Sequence, residues 1–466
     1  MGAVSATLKW LRALEHRTRP VDPEARAALD QRWAELPDQV KTPAQALGRH
    51  TVGCEGTHGV FPRCNLSCTP CYHSRDANKV RVDGAHTLAE VDRQMAHLRL
   101  RRGPRAHAQL IGGEVSLLTP EDHAAALETM YRHGRLPMSM THGDFDYDYL
   151  ERLALRPDGT PRFRLLSFAA HFDSLMIGRR GIARPQGERD LHPYRQRFCD
   201  MSKRLQREHG VKHYLAHNMT VTPQNLGEVA EVVRSCRDMG FRMFSFQPAA
   251  YVGDDRRWRD GFREVTPDSV WAEVERGIGA RLPFKAIQIG DERCTRTVWG
   301  LLAGDRWVPV IDDLVPADLE ARDRLFEAFA GVDFGAPRGL LAIRLVRAAA
   351  RHPQVLPVGA RWAGRLARRV GLANAVRGRV RPLTFVMHMF MDADDVKPAW
   401  ELLRRGELSD DPRIRATQER LQACAYAMAH PESDELVPAC AQHSVLDPFE
   451  NIELRRRLPL LTAGTR

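Results

Sequence analysis

The chain has 466 residues, 43% of them hydrophobic and 27% charged, with a formal net charge of +10. Such a length holds one large domain with additions, or about two to three domains, and the composition is that of an ordinary globular protein rather than a disordered or fibrous one. No apolar run reaches the ~18 residues of a membrane-crossing helix. The nine cysteines are too few for a disulfide scaffold, and their odd number fits metal ligation better.

Residues 1–50 read as two short helices around Pro20 and Pro23, with no chemistry of their own. Pro23-Glu24 opens the second with a proline and an acid in its first turn. The N-terminus lacks the apolar core and cleavage site of a signal peptide. Gly2 starts no myristoylation motif, because position 6 is Ala6. The expected compartment is therefore the cytoplasm, where thiols stay reduced.

The stretch GCEGTHGVFPRCNLSCTPCY (53–72) carries Cys64, Cys68 and Cys71 in a C-x3-C-x2-C triplet. Three thiolates so close together suit one compact metal centre. A [4Fe–4S] cubane is held by Cys thiolates, and three ligands leave one of its irons free. A zinc site would want a second ligand pair about 12–20 residues on. None follows Cys71, although His58 or His73 is placed to be a fourth ligand.

Beyond this loop, strand and helix patterns alternate. Helices are expected at 86–100, 120–134, the DYDYLERLAL stretch, 193–210 and 223–240. Strands are expected at 106–113, 136–143, 163–173, 211–222 and 241–253. Such alternation predicts a parallel sheet with helices outside, as a closed or partial barrel or a doubly wound sheet. The polar motifs fall at strand ends. Gly112-Gly113-Glu114 closes the 106–113 strand, and glycines there let backbone approach a ligand without a Cβ in the way. His142, Asp144, Asp146 and Asp148 follow the 136–143 strand. They read as a proton-transfer or metal-binding group with His142 as the catalytic candidate, or as a helix cap at Asp144 or Asp146.

The excess positive charge is local. Between Gly335 and Met391 there are eleven arginines and no acid, which implies an anionic partner. Leu340, Leu341, Ile343, Leu345 and Val346 interleave with these arginines, as in an interfacial helix or in a basic face packed on the protein. Further on, CAYAMAHPESDELVPAC (424–440) reads as two ordered arms around a PESDEL turn. The final segment reads as a cover over the barrel mouth.

The cysteine spacing and its position, with GGE about 40 residues later in the matching context, resemble the radical SAM superfamily over residues 50–300. The resemblance implies an α/β fold: a partial (β/α)6 TIM-like radical SAM barrel, with a mostly helical N-terminal segment and a C-terminal cysteine-bearing extension. The implied divisions are 1–50, a core at 51–300, a basic helical region at 301–391 and an extension at 392–466. It implies a [4Fe–4S] cluster on Cys64, Cys68 and Cys71, with S-adenosylmethionine on its open iron. Gly112, Gly113 and Glu114 would lie along the methionine portion. Ser167, with His171 and Asp173, would meet the ribose; Asn218, with Thr220, and Gln247 would complete the pocket. The family usually has an aromatic residue before the third cysteine; this chain has Pro70, so Tyr72 is expected to supply the adenine contact.

Cys54, Cys294, Cys424 and Cys440 are four leftover thiols, the number a second [4Fe–4S] cluster needs. His430 or His443 is the alternative ligand, and inert packing of these cysteines is the plain alternative. The tail distantly resembles the group containing archaeal tetraether lipid synthases. The implied activity is reductive cleavage of S-adenosylmethionine and hydrogen abstraction from an unactivated carbon, of a lipid or other anionic apolar substrate. The alternatives are a peptide- or protein-modifying maturase, or a non-catalytic zinc- or nucleic-acid-binding module. Expected partners are an electron donor such as ferredoxin or flavodoxin and an anionic membrane surface met by residues 335–391; nucleic acid is not expected.

Overall fold

The computed structural model describes Trp10 and residues 14–73, 77–253 and 255–460. Most of the first N-terminal helix expected above, with Gly2 and Ala6, lies outside the described residues. The second is Pro23–Glu35, where the Asp22 carboxylate accepts the Glu24 and Ala25 amides, as an N-cap does.

Eleven strands form one sheet. In chain order they are β1 (Cys54–Gly56), β3 (Ala106–Leu110), β4 (Arg135–Thr141), β5 (Leu165–His171), β7 (Lys212–Val221), β8 (Met243–Pro248), β9 (Thr295–Ala303), β10 (Arg306–Pro309), β11 (Val380–His388), β12 (Tyr426–His430) and β13 (Glu435–Pro438). Short β2 (Ser67–Cys68) and β6 (Met176–Ile177) pair separately. The sheet order is β10-β9-β11-β8-β7-β5-β4-β3-β1-β12-β13. Every neighbour pair from β12 through β11 is parallel, and β9, β10 and β13 add antiparallel edges. The fold is thus α/β, with a curled, parallel-dominated half-barrel carrying helices outside.

Helices Gly84–Arg102, Pro120–Arg132, Tyr147–Ala154 and His192–His209 stand where the apolar spacing put them. The 223–240 stretch is shorter than expected: a 3-10 turn precedes helix Val229–Cys236. There the Asn225 side chain accepts the Thr222 amide and holds the entry as a turn.

Strand faces are assigned by packing. Phe168 meets Phe198 of the neighbouring helix edge-on at 6.0 Å, so Leu166, Phe168 and Ala170 face the helices. Ser167, Ala169 and His171 face the lumen, because side chains alternate along a strand. On the helix side, the Glu55 carboxylate accepts two bonds from the buried Arg135 guanidinium, at 2.8 and 3.0 Å, joining β1 to β4.

Strand β11 arises inside the basic 301–391 stretch and pairs with β8 in the middle of the sheet. Its Leu383, Phe385 and Met387 are fully buried; the surrounding arginines hide that short apolar run in the sequence. The same stretch holds helices Pro316–Ala328, Arg338–Arg351 and Val355–Val370. Several contacts of this stretch fall at strand beginnings. Arg105, just before β3, pairs with Asp333. Arg306, at the start of β10, bonds the Arg369 carbonyl, and Arg381 of β11 bonds Arg237 and Asp238. The basic segment therefore packs at the N-terminal end of the parallel strands, away from the loops that follow their C-terminal ends. Among the described residues, no helix is long and apolar enough to cross a membrane.

Candidate metal centre

The loop bearing Cys64, Cys68 and Cys71 follows β1 at the C-terminal end of the sheet, where barrel sites lie. Two glycine surfaces hold it. The Gly113 and Glu114 amides donate to the Phe61 and Arg63 carbonyls at 2.7 and 2.8 Å. A Cβ on Gly113 would stand 2.0 Å from the Arg63 oxygen, and one on Gly112 would stand 2.6 Å from the Phe61 ring. Across the loop, Gly253 (φ +70°) leaves room for Tyr72; a Cβ there would stand 2.2 Å from the Tyr72 oxygen. The glycines expected to admit a ligand thus admit, first, the cysteine loop itself.

The buried Glu114 carboxylate ties the second barrel strand to the third. It accepts from the Ser116 amide and hydroxyl, the Thr141 hydroxyl and the His142 amide, all within 3.0 Å. His142 is buried beside it. Its Nδ1 accepts the Asp144 amide at 3.0 Å, which leaves Nε2 to donate to the Asn65 side-chain oxygen at 2.7 Å. Burial holds this imidazole below its ordinary pKa. His142 thus reaches the cysteine loop through Asn65. The acids near it do not converge: Asp144 binds Arg180, Asp146 caps helix Tyr147–Ala154, and Asp148 is exposed beside Arg152.

None of the cysteines is in a disulfide. Burial pushes the Cys64 thiol up to about 12 and raises Cys68 well above its ordinary value, so ionisation of these two thiols is helped by a nearby cation. Arg257, which the sequence reading missed, supplies one. It is buried, donates to the Cys68 carbonyl at 2.9 Å, and favours ionisation of both Cys64 and Cys68. In a chain so rich in arginine nothing local distinguishes it. The Cys64 amide donates to Asn78 at 3.0 Å, and the Leu66 amide donates to the Cys64 sulfur at 3.4 Å. Amide bonds to sulfur tune iron–sulfur potentials.

Zinc and a cluster ask different spacings of their ligands. Zn–S bonds of ~2.3 Å set tetrahedral sulfurs about 3.8 Å apart. Among the described residues, the sulfurs of Cys64, Cys68 and Cys71 form no group within 4.8 Å of one another, whereas His58, His430 and Glu450 do. His58 is committed elsewhere, to Glu450 and the Ala429 carbonyl. Three thiols on one glycine-seated loop, with Arg257 beside two of them, are a donor set that a cubane can use.

The lumen beside the triad receives polar side chains by register. His171 pairs with Asn218, Asn218 with Ser245, and Thr220 with Gln247. His171 Nε2 binds the Asp173 carboxylate at 2.6 Å, and Asp173 acts electrostatically on Cys68. Gln247 donates to Ser245 at 2.8 Å, while its buried Oε1 has no hydrogen-bond partner among the described residues. Ser167 does not end its strand as expected. It is the third of seven residues in β5, four positions and so roughly 13 Å below His171 at 3.3 Å per residue. Tyr72 packs against His443 at 4.2 Å and donates to the Gly112 carbonyl at 3.3 Å, so the C-terminal segment covers one of its faces.

No protein-family model and no curated protein matches the chain. Solved structures that resemble it include native anSMEcpe with bound AdoMet and Cp18Cys peptide, at 15% identity and TM-score 0.29, covering 42% of this chain and 50% of that one. Another is native anSMEcpe with bound AdoMet and Kp18Cys peptide, at 13% identity and TM-score 0.33, covering 48% and 59%. TYW1 with a lysine-pyruvate adduct bound is 13% identical at TM-score 0.26, covering 46% and 69%. This chain thus spans about half the length of the first of these. Overlaps so partial leave the function to be read from the chain's own residues.

Gly113→Ala is expected to displace the loop, since the new methyl would overlap the Arg63 carbonyl. Iron bound after anaerobic reconstitution should fall at least several-fold while far-ultraviolet circular dichroism stays unchanged. Full iron loading in this variant would contradict the seat described.

Proposed function

We propose that this chain is a radical SAM enzyme. The observation that carries the reading is the three-thiol loop, seated on Gly112-Gly113 at the C-terminal end of a parallel half-barrel. A [4Fe–4S] cluster on Cys64, Cys68 and Cys71 would keep one iron for the amino and carboxylate groups of S-adenosylmethionine and supply its reductive cleavage to methionine and a 5′-deoxyadenosyl radical. The chain's own residues bind, orient and exclude water. Arg257 offsets thiolate charge, Gln247 Oε1 offers an acceptor inside the lumen, and the His171–Asp173 pair lies beside Cys68. The reductant is a low-potential donor such as ferredoxin or flavodoxin. With dithionite, the reconstituted protein should release 5′-deoxyadenosine from S-adenosylmethionine, and Cys64→Ala should abolish this. Release that persists in Cys64→Ala would overturn the reading.

The substrate is proposed to be a lipid or another anionic apolar molecule, with the 335–391 segment resting on an anionic membrane. Val346, Leu372 and Val376 are 68%, 78% and 78% exposed there, and Ile343 and Leu356 are exposed beside them. Arginines among exposed apolar side chains suit a lipid headgroup layer. The segment leads into β11 at the sheet end away from the cysteine loop, so this surface anchors the protein and does not feed the lumen. Flotation with phosphatidylserine vesicles should capture the protein, less as salt rises. Equal capture by phosphatidylcholine vesicles, or none at all, would contradict the anchor.

A further inference from the structure

A second group of thiols assembles away from the Cys64 loop. Its members come from four separate places in the chain. Cys54 opens β1, and Cys294 precedes β9. Cys424 lies between helix Pro412–Gln422 and β12, and Cys440 follows β13. The segment leading into β9 meets the segment leading into β12 here. Gly290 packs so closely on the second of these that a Cβ would stand 2.5 Å from the Ala423 carbonyl. Arg420 spans the seam, donating to the Arg293 and Met389 carbonyls at 2.9 and 3.2 Å and to the Cys294 sulfur at 3.2 Å.

The strands set the remaining distances. Cys54 is directly opposite Tyr426, and its amide donates to the Ala425 carbonyl at 2.7 Å. The Cys424 thiol turns back to donate to the Tyr426 carbonyl at 3.1 Å. Cys424 acts electrostatically on Cys54, Cys294 and Cys440, and Cys294 acts on Cys440. Cys424 is thus the common neighbour of the other three. Cys54 keeps accessible surface.

We infer that Cys54, Cys294, Cys424 and Cys440 hold a second [4Fe–4S] cluster in the seam where these segments meet. The donor set is four thiolates, the full complement of a cubane. Arg420 contributes a positive charge and an N–H to sulfur, both of which stabilise an anionic cluster. Four protein ligands leave no iron open, so this site binds no sulfonium compound. It stands independently of the function proposed for the Cys64 loop.

The test counts metal in the anaerobically reconstituted full chain. Wild type should hold about eight irons and about eight sulfides, the content of two cubanes. The triple variant C64A/C68A/C71A should keep about half, with absorbance near 400 nm and a reduced-state paramagnetic signal that S-adenosylmethionine does not alter. C424S should also lose about half while keeping the signal that S-adenosylmethionine does alter. Cys236→Ala, buried in a helix remote from both groups, controls for nonspecific loss and should hold the wild-type count. A triple variant free of iron, or one carrying a single zinc, would overturn the second site. A wild type with only about four irons, all lost in the triple variant, would overturn it and leave the Cys64 loop untouched.

Discussion

The site depends on a close approach between two stretches of backbone. The Phe61 and Arg63 carbonyls lie on Gly112 and Gly113 so closely that neither glycine has room for a methyl group. Gly253 repeats the arrangement on the other side, against Tyr72. Between these surfaces the cysteine loop is clamped without a side chain in the way, and its thiols are presented to the lumen. Everything that follows rests on this clamp: Glu114 ties the glycine turn to the third strand, and His142 reaches the loop through Asn65.

Much of this was legible in the sequence because it is local. A three-cysteine spacing, a glycine pair at a strand end and the apolar periods of helix and strand are written within short windows. What was not legible depends on partners far away in the chain. Strand β11 is apolar only over Leu383–Met387 and is flanked by arginines, so its place beside β8 appears only once the sheet is built. Ser167 and His171 share a face, but their heights in the lumen are set by where β5 ends. Arg257 is one arginine among many until burial beside Cys68 singles it out. The basic segment was correctly seen as unusual, yet nothing in its residues says that it packs where the strands begin.

The C-terminal extension links the two thiol groups. His443, fixed by Asp447 at 2.6 Å, lies on Tyr72. Tyr72 feels Cys71 and Cys64 on one side and Tyr426 on the other, and Tyr426 feels Cys54 and Cys424. Two half-buried phenols therefore link the triad electrostatically to the second thiol group. Residues more than 350 positions apart in sequence form one continuous interior, as His58 bonding to Glu450 at 2.9 Å illustrates.

The central claim is that the triad leaves one metal position without a protein ligand. Electron paramagnetic resonance of the reduced, anaerobically reconstituted protein tests it most directly, following the signal that disappears when Cys68 is replaced by alanine. Adding S-adenosylmethionine should shift the g-values of that signal, as binding of its amino and carboxylate groups to an open iron would require. A spectrum unchanged by saturating S-adenosylmethionine would mean that no iron is open, and would contradict the account.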